Sequence, residues 1–323
     1  MTWNDLLRGP VDMECPPVPP NSLVGADIHP LWESEAERRQ ELRLLLAWAS
    51  GRSPAWLPAH GDEPADAASE ARFRDAVSRR LLREPVAYIL GTAGFFGHEF
   101  EVGPAVLIPR PDTELLVEIV SLHVSALAPS APENASFSGR GDNADAGFPP
   151  LRLLDIGTGS GCIPISLLLA HAGLTATAVD LSANALDVAR RNAAHLGVDG
   201  RMTFLAGDFL VMDAQSLCPP YDIVVSNPPY IPSSDVEALM PDVRAHEPRM
   251  ALDGGADGLV FYRRLAGMAS HLLRPGGLMA VEIGWDQGDS VPAVFRNAGL
   301  NPVLHRDLEG RARVVTVVPD VTW

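Results

Sequence analysis

The sequence predicts an α/β protein built on a mostly parallel sheet, preceded by a smaller helical domain. Two observations carry this prediction. From residue 152 onward, short apolar runs typical of buried strands alternate with segments of helical periodicity. Such alternation favours a parallel sheet covered by helices on both faces. Before residue 92, apolar residues recur at helical spacing instead. A chain of 323 residues is long enough for one large and one smaller domain.

The first third of the chain divides into three parts. Residues 1–30 are rich in proline and lack periodicity, which predicts a disordered or loosely packed extension. Residues 31–91 are predicted to form the helical domain, with helices from Glu33 to Ala49 and from Glu70 to Arg83. Residues 92–110 are spaced by glycines and are predicted to form a β-hairpin that links the two domains.

The large domain is predicted to span residues 111–323. A helix is expected from Asp112 to Leu127, because Pro111 precedes it and acidic residues occupy its first turn. Residues 128–150 contain few bulky apolar residues and are predicted to be a flexible insertion.

The remaining elements alternate along the chain. The predicted strands are 152–156, 175–180, 202–206, 221–226, 278–283, 302–307 and 312–318, and the predicted helices are 162–172, 183–196, 257–273 and 286–298. The last two strands should form a hairpin, which makes one of the seven strands antiparallel.

A glycine-rich turn follows the first strand of the large domain. Glycine lets the backbone approach a ligand closely, and the next strand ends in Asp180, where a carboxylate typically holds ribose hydroxyls. The spacing is G-x-G-x-G, which does not demand a dinucleotide pyrophosphate, and Asp155 before the loop is expected to orient its backbone. The predicted ligand-binding residues of this region are Gly157, Thr158, Gly159, Ser160, Gly161 and Asp180.

The sequence Asn-Pro-Pro-Tyr occupies residues 227–230, directly after a buried strand. Open α/β sheets bind ligands at the carboxyl ends of their strands. Pro228 and Pro229 stiffen the turn and carry no N–H, so the turn presents acceptors, namely the Asn227 side-chain oxygen and the Pro228 carbonyl. Tyr230 adds an aromatic face. Acceptors beside a ring suit a planar –NH2 group, which predicts that all four residues bind the substrate and that Asn227, Pro228 and Tyr230 are catalytic.

The glycine loop, Asp180 and the Asn-Pro-Pro-Tyr turn, in that order, resemble the class I S-adenosylmethionine methyltransferases. Further stretches narrow the resemblance: Arg-Glu-Pro-Val-Ala-Tyr-Ile-Leu-Gly at 83–91, Leu-Ile-Pro-Arg-Pro-Asp-Thr-Glu at 107–114, and Glu-Ile-Gly-Trp at 282–285. Together they are similar to the glutamine-N5 methyltransferases of peptide-chain release factors. The resemblance covers residues 70–125 and 150–318.

The resemblance implies a Rossmann-like class I fold with a seven-stranded sheet, and S-adenosylmethionine as cofactor, with Asn227 beside it. It implies a protein substrate, the glutamine of the Gly-Gly-Gln loop in class 1 release factors, which the helical domain helps to grip. Asp208 and Phe209 follow the third strand, where this fold holds the adenine, although the family often has tryptophan at the position of Phe209.

The roles of four other residues stay open at this stage. Arg110, Thr113 and Glu114 either close over the cofactor or form a capped helix start with an arginine salt bridge. Glu282 either faces the site or is a buried acid paired with arginine.

Composition limits the alternatives. The formal net charge is −16, and all 25 basic residues are arginine. This balance argues against nucleic acid as a direct partner. The three cysteines are scattered and suggest no disulfide framework or metal site, and His246 is expected in a surface loop. The sequence shows no signal peptide and no apolar run of spanning length, so the cytoplasm is expected. The oligomeric state is open, and a monomer is the simplest expectation.

Three other functions are compatible with parts of the pattern. An amino-methyltransferase acting on nucleic-acid adenine or cytosine shares the Asn-Pro-Pro-Tyr turn but conflicts with the charge and with the 107–114 segment. A dinucleotide-dependent oxidoreductase is disfavoured by the glycine spacing. A non-catalytic S-adenosylmethionine-binding protein is the third. The first alternative also includes an amino-methyltransferase that acts on another protein.

Overall fold

The structure, a computed structural model, describes residues 1–8, 31–127 and 149–319. The helices are α1 Trp3–Arg8, α2 Glu35–Ser50, α3 Leu57–His60, α4 Ala67–Leu81, α5 Val86–Leu90, α6 Glu114–Leu127, α7 Cys162–Ala170, α8 Ala183–His195, α9 Pro241–His246, α10 Val260–Leu272 and α11 Ser290–Asn297. The strands are β1 Thr92–Phe95, β2 His98–Glu101, β3 Leu151–Ile156, β4 Leu174–Asp180, β5 Met202–Ala206, β6 Tyr221–Ser226, β7 Leu273–Glu282, β8 Pro302–Arg306 and β9 Ala312–Val317.

The chain divides into two compact units. The helical unit comprises Met1–Thr92 together with Leu239–Glu247, and the sheet unit comprises Ala93–Ala238 together with Pro248–Trp323. The helical unit therefore takes in α9, a segment from far along the chain that was not predicted to be helical.

Helices α2 and α4 form the centre of the helical unit. Ser34 caps the start of α2 by accepting from Glu37 N, and Gly51 ends it with a φ of 65°, a conformation that favours glycine. Asp66 caps α4 by accepting from Ser69 N. Each helix then buries one apolar face, and Leu45 and Phe73 lie in the shared core.

The first residues of the chain differ from the prediction. Residues 1–30 were expected to be disordered or loosely packed, but α1 forms within them and buries Trp3 and Leu6 in the core of the helical unit. The Trp3 and Trp56 rings meet edge to face at 5.9 Å between centroids. The prediction is therefore wrong for residues 1–8, because one buried aromatic and one buried aliphatic side chain are enough to hold a short helix against the core. Residues 9–30 lie outside the described part of the chain.

A buried arginine joins three segments of the helical unit. The side chain of Arg80 is only 6% exposed, and its Nε donates to Glu41 Oε2 at 2.8 Å while its Nη1 donates to Asp242 Oδ2 at 2.6 Å. Arg83 also pairs with Asp242. We call Arg80, Glu41 and Asp242 the Arg80 cluster. It holds α9 against α2 and α4.

Strands β1 and β2 form the hairpin that the glycine pattern predicted. Phe96 and Gly97 connect them with φ values of 49° and 77°, as a two-residue hairpin turn with two positive φ angles requires. The Phe96 N–H donates to Glu114 Oε1 at 2.8 Å. Glu114 therefore supports this turn, a role that sequence reasoning did not consider.

The large sheet confirms the predicted fold class. Its strand order is β5-β4-β3-β6-β7-β9-β8, with β9 antiparallel to both neighbours and the remaining pairs parallel. Helices cover both faces and bury two apolar clusters. The chain leaves β3 in one direction to form β4 and β5, then returns on the other side of β3 to form β6 and β7. Such a reversal of strand order creates a crevice at the carboxyl ends of the two central strands.

Element boundaries differ most at β7. The strand was expected from residue 278, but it begins at Leu273 and runs through Pro275 and the following glycines. A register irregularity between Tyr221 and Ile223 of β6 accommodates the extra length. Helix α6 begins at Glu114 after a 3₁₀ turn at Pro111–Thr113. Most of the expected insertion, residues 128–148, lies outside the described residues.

Candidate active site

A cavity opens at the carboxyl ends of β3, β4 and β6, within the sheet unit. The empty space inside it, counted out to its open mouth, is about 1040 Å³. It is lined by the segment 105–110, by Thr113, and by all predicted site residues except Gly161 and Tyr230. Motifs that are separated in the sequence therefore line one concave surface.

The glycine loop forms one wall. Gly157 and Gly159 have φ values of 76° and 55°, which an L side chain rarely adopts. A Cβ at Gly159 would meet no atom within 4 Å, so the strained backbone there is not forced by packing against the protein. The loop is therefore shaped for close approach of a ligand.

Gly161 has a different task. A Cβ there would approach Ile165 Cδ1 to 2.9 Å and Ala189 Cβ to 3.2 Å. The glycine therefore lets α7 pack closely on α8, and it does not line the cavity. Its predicted contact with the cofactor remains a prediction.

Asp180 braces the loop from the end of β4. Its Oδ2 accepts from Gly159 N and its Oδ1 accepts from Ser182 N, each at 2.9 Å. Burial raises the pKa of Asp180, and hydrogen bonding from the backbone N–H groups of Gly159, Ser182 and Leu181 opposes that rise. The carboxyl faces the cavity with two backbone bonds already made, and each of its oxygens keeps further acceptor capacity for a ligand hydroxyl.

Asp208 and Phe209 line the cavity beyond β5. The Asp208 Oδ1 accepts from Leu210 N at 2.9 Å, which is a turn interaction. Phe209 is 4% exposed and belongs to one of the two apolar clusters of the sheet unit. Both residues thus have a structural task, and their adenine contacts remain predictions.

The Asn-Pro-Pro-Tyr turn forms the opposite wall. In the sheet, Ser226 pairs with Ile156 on β3 and with Val281 on β7, so Asn227 lies between the glycine loop and Glu282. The Asn227 side chain donates through Nδ2 to Thr113 Oγ1 at 3.1 Å. This contact joins residues that are far apart in the sequence.

Gln287 and two glycines hold the backbone of the turn. Gln287 Nε2 donates to Tyr230 O and to Gly258 O, each at 3.2 Å, and its Oε1 accepts from Gly284 N at 3.0 Å. A Cβ at Gly258 would come within 2.2 Å of Tyr230 O, and one at Gly254 within 2.7 Å of Pro229 O. The turn is therefore rigid by packing as well as by its prolines.

Tyr230 does not line the cavity. Its partly buried ring packs against the same apolar cluster as Phe209, and burial, followed by the charge of Glu282, raises the pKa of its hydroxyl. The tyrosine is therefore neutral at ordinary pH. The predicted packing of this ring on the substrate remains a prediction.

Two buried carboxyls lie beneath the site. Asp155 and Glu282 are 0% and 1% exposed, and burial raises the pKa of each to about 7. Hydrogen bonding from Thr113 and Asn227 opposes the rise at Glu282. The nearby Arg313 makes its ion pairs with Asp112 and Asp307 instead. Of the two roles considered for Glu282, the acid paired with arginine is not what the described residues show.

Sequence reasoning missed part of the site. Leu181, Phe261 and Met250 line the cavity, and Gln287 supports it. Leu181 could have been found, because it directly follows the predicted ribose ligand Asp180. Phe261 lies on α10, and the sequence pattern there predicted only a helix that covers the sheet.

The described residues contain neither a metal-binding cluster nor a membrane-spanning helix. No group of three or more histidine, cysteine or acidic side chains there is arranged to hold a metal ion. Nor does any helix in the described ranges have the length and apolar character needed to cross a membrane. His246 lies at the end of α9, with its Nε2 3.2 Å from Leu82 O.

Comparisons with known proteins agree with this geometry. Residues 32–91 match the family model of the PrmC N-terminal domain, and residues 148–281 match the methyltransferase small domain. The release factor glutamine methyltransferase of Bordetella pertussis is 44% identical over 85% of this chain and 93% of its own length. That of Caulobacter vibrioides is 40% identical over 85% of this chain and 87% of its own. Among solved structures, the catalytic domain of human Mettl16 aligns with a TM-score of 0.50 at 16% identity, covering 75% of this chain and 83% of that one.

The fold and the matched domains define the class of protein, an S-adenosylmethionine-dependent methyltransferase with a Rossmann-like sheet. Within that class, the identity to relatives over most of the chain is specific. The chain belongs to the family of release factor glutamine methyltransferases.

Proposed function

We propose that this protein transfers a methyl group from S-adenosylmethionine to the side-chain amide nitrogen, N5, of the glutamine in the Gly-Gly-Gln motif of class 1 peptide chain release factors. The observation that carries the proposal is the position of the Asn-Pro-Pro-Tyr turn. It lies directly after β6 and lines the same cavity as the glycine loop and Asp180. The names of the relatives support release factors as the substrate class.

The residues of the cavity fit S-adenosylmethionine. A loop with two positive φ angles and open space beside Gly159 suits close backbone approach to a ligand. Asp180 keeps acceptor capacity for ribose hydroxyls, and Asp208 and Phe209, which line the same cavity, would hold the adenine ring. When bound, the cofactor supplies a methyl group on a positively charged sulfur, which is the electrophile of the reaction.

The Asn-Pro-Pro-Tyr turn acts on the incoming amide. An amide nitrogen is a poor nucleophile because its lone pair is delocalised. Asn227 Oδ1 and Pro228 O can accept hydrogen bonds from the two N–H groups of the substrate amide. These bonds fix the orientation of the amide and raise the electron density on its nitrogen as positive charge develops there. Tyr230 would pack on the amide plane or on the glutamine stem.

Positioning of the two reactants should contribute most of the rate enhancement. Aligned reactants in a rigid site can lower the barrier by roughly 7–11 kcal/mol, and the turn is fixed by Gln287 and by the contacts at Gly254 and Gly258. No strong base is needed before transfer, because the N-protonated product amide is very acidic and loses its proton readily.

The domain arrangement and partners are part of the proposal. Residues 31–91 form a domain that helps to grip the release factor, residues 92–110 form the linker, and residues 111–323 carry the reaction, with 128–150 as an insertion. We propose a monomer that works in the cytoplasm without direct contact to nucleic acid, in keeping with the net charge of −16.

Methyl transfer to a purified, unmethylated class 1 release factor tests the proposal. The protein is incubated with labelled S-adenosylmethionine, and the modified residue is mapped by mass spectrometry. Methyl on the Gly-Gly-Gln glutamine is the expected result. A release factor in which that glutamine is replaced by glutamate is the control and should stay unlabelled. Cofactor binding by calorimetry without transfer to the glutamine would contradict the proposed substrate.

A further inference from the structure

The side chain of Asn227 can face the cavity in two ways, and only one of them suits the proposed reaction. With Oδ1 toward the cavity, the residue accepts a hydrogen from the substrate amide. With Nδ2 toward the cavity, it would offer a donor to a group that has no need of one. Whatever fixes this choice controls catalysis, and the fixing groups must lie on the other side of Asn227.

Thr113 and Glu282 lie on that side. Asn227 Nδ2 donates to Thr113 Oγ1 at 3.1 Å, and both Thr113 and Asn227 are hydrogen-bond neighbours of the Glu282 carboxyl. Thr113 is 2% exposed and Glu282 is 1% exposed. Glu282 Oε2 is buried and has no hydrogen-bond partner among the described residues. A buried carboxyl group with spare acceptor capacity is therefore present beside the amide, and it is mostly ionised above about pH 7.

We infer that Thr113 and Glu282 are positioning residues that orient the Asn227 amide, with Nδ2 held by the threonine hydroxyl and the carboxylate, so that Oδ1 is directed at the substrate amide. A carboxylate cannot donate a hydrogen bond, so the amide oxygen cannot turn toward it. The threonine hydroxyl donates its own hydrogen to the carboxylate and thus serves Asn227 as an acceptor. The inference rests on the proposed function for its kinetic consequence only.

The inference also accounts for an otherwise costly feature. Burying a carboxyl group without a cation is unfavourable, and the pKa of Glu282 is raised to about 7 by burial. A leucine at this position would remove that cost. An acid at position 282 has a use if its acceptor oxygens set the orientation of the amide.

Protonation of Glu282 should weaken the orientation, because a protonated carboxyl can donate to Oδ1. Of the charged groups near it, Asp112 raises its pKa and Arg313 lowers it. Tyr230, Tyr262 and Cys162 also face it, and burial raises the pKa of each, so they stay neutral near pH 7.

Asp155 is the other group whose pKa is raised to about 7. A pH midpoint in the wild type alone would therefore be ambiguous. Comparing the pH dependence of the wild type with that of Glu282→Gln shows whether the midpoint belongs to Glu282.

The kinetic test uses a matched pair at position 113. Thr113→Val keeps the shape of the side chain and removes the hydroxyl, whereas Thr113→Ser keeps the hydroxyl. We expect kcat to fall on the order of ten-fold or more in Thr113→Val, as when a buried hydrogen-bond partner is removed. The KM for the release factor and the affinity for S-adenosylmethionine should stay within about two-fold, because the substitution is expected to remove no contact that either molecule makes before the reaction. Thr113→Ser should recover most of the rate.

A second measurement does not depend on the substrate. The two Nδ2 hydrogens of Asn227 give side-chain amide NMR signals, which can be assigned by their loss in Asn227→Asp. We expect these signals to shift with pH around 7 in the wild type, to lose that dependence in Glu282→Gln, and to exchange faster with water in Thr113→Val.

Two outcomes overturn the inference. One is wild-type turnover in both Thr113→Val and Glu282→Gln. The other is a set of Asn227 signals that respond neither to pH nor to either variant. If the wild type itself fails to methylate a release factor, the proposed substrate is wrong, and the NMR result still decides whether Thr113 and Glu282 orient Asn227.

Discussion

Buried charge is handled differently in the two units of this protein. In the Arg80 cluster of the helical unit, a buried arginine meets two carboxylates at 2.8 and 2.6 Å. In the sheet unit, Asp155 and Glu282 are equally buried but have no cation in direct contact, and both oxygens of Asp155 lack a hydrogen-bond partner among the described residues. Paired charge indicates a structural role, whereas unpaired buried charge beside a cavity is typical of a functional site.

The pKa directions express the same contrast. Burial lowers the pKa of Arg80, but the hydrogen bonds and charges of Glu41 and Asp242 outweigh it, so the net direction is upward and the charged form is favoured. At Asp155 and Glu282 burial wins, and the neutral form is favoured up to about pH 7. The sheet unit thus gives up stability at its site, while the helical unit uses its charges to hold segments together.

The largest effect should come from the site. Asn227→Ala removes an acceptor that acts on developing charge, and the loss of one such group typically costs about 10²–10³ in rate. We expect kcat to fall by that order, with S-adenosylmethionine affinity and thermal stability nearly unchanged. Single-turnover methyl transfer, calorimetry and thermal denaturation measure the three quantities. Equal losses of turnover and cofactor affinity would contradict the assignment of Asn227 to the methyl acceptor.

The next effect belongs to the helical unit and should appear in stability. Arg80→Leu leaves Glu41 and Asp242 without their shared cation, and breaking a buried ion pair costs on the order of 3–5 kcal/mol. Both carboxylates keep some exposure, at 17% and 18%, so the lower end is expected. Arg39→Ala is the matched control, because its pair with Glu35 is exposed and such pairs contribute at most about 1 kcal/mol. Equal denaturation midpoints for the two variants would remove the distinction between structural and surface charge.

A smaller effect should depend on pH. The pKa of Asp155 is about 7 in the folded protein, against 3.8 for the ordinary group, so the unfolded chain releases this proton first as pH rises. Wild-type stability from this residue therefore falls between about pH 4 and pH 7, and the full cost applies above pH 7. We expect Asp155→Asn to raise the melting temperature most above pH 7 and least near pH 4. A gain that is constant with pH would show that Asp155 does not titrate as stated.

The smallest effect should have the opposite sign. The hydrogen bond from Arg79 holds the pKa of Glu84 below its usual value, so its contribution to stability is present above the ordinary carboxyl pKa and is lost as pH falls. Glu84→Gln should therefore lower the melting temperature slightly at pH 7, and the difference should disappear in acid. The pair is partly exposed, which keeps the effect small. Denaturation of both variants across the same pH series would show whether the two units differ in sign.

Much of the fold and part of the site could be predicted from local pattern. The apolar run of β6 and the stiff Asn-Pro-Pro-Tyr turn after it are adjacent in sequence, so their position at the edge of the sheet followed from the strand alone. The glycine loop and Asp180 were predictable for the same reason. Each signal lies within one strand and the turn that follows it.

The missed features depend on contacts between distant residues. Thr113 reaches Asn227 across 114 positions, and Gln287 reaches Tyr230 across 57. No periodicity encodes such pairs, because each residue alone is an ordinary polar residue at a helix start or after a strand. Helix α1 was missed for a related reason, since its two apolar anchors have meaning only once the core that receives them exists.

The membership of Leu239–Glu247 in the helical unit has a consequence for how the protein is made. A growing chain emerges from the ribosome with its N-terminal segments first. Arg80 can meet Glu41 early, but Asp242 is synthesised only after most of the large sheet has been translated. We therefore expect the helical unit to gain its final stability late, and a fragment that ends at residue 92 to unfold more readily than the same residues in the complete chain. Limited proteolysis of both would measure this difference, and equal resistance would show that the early fragment is already complete.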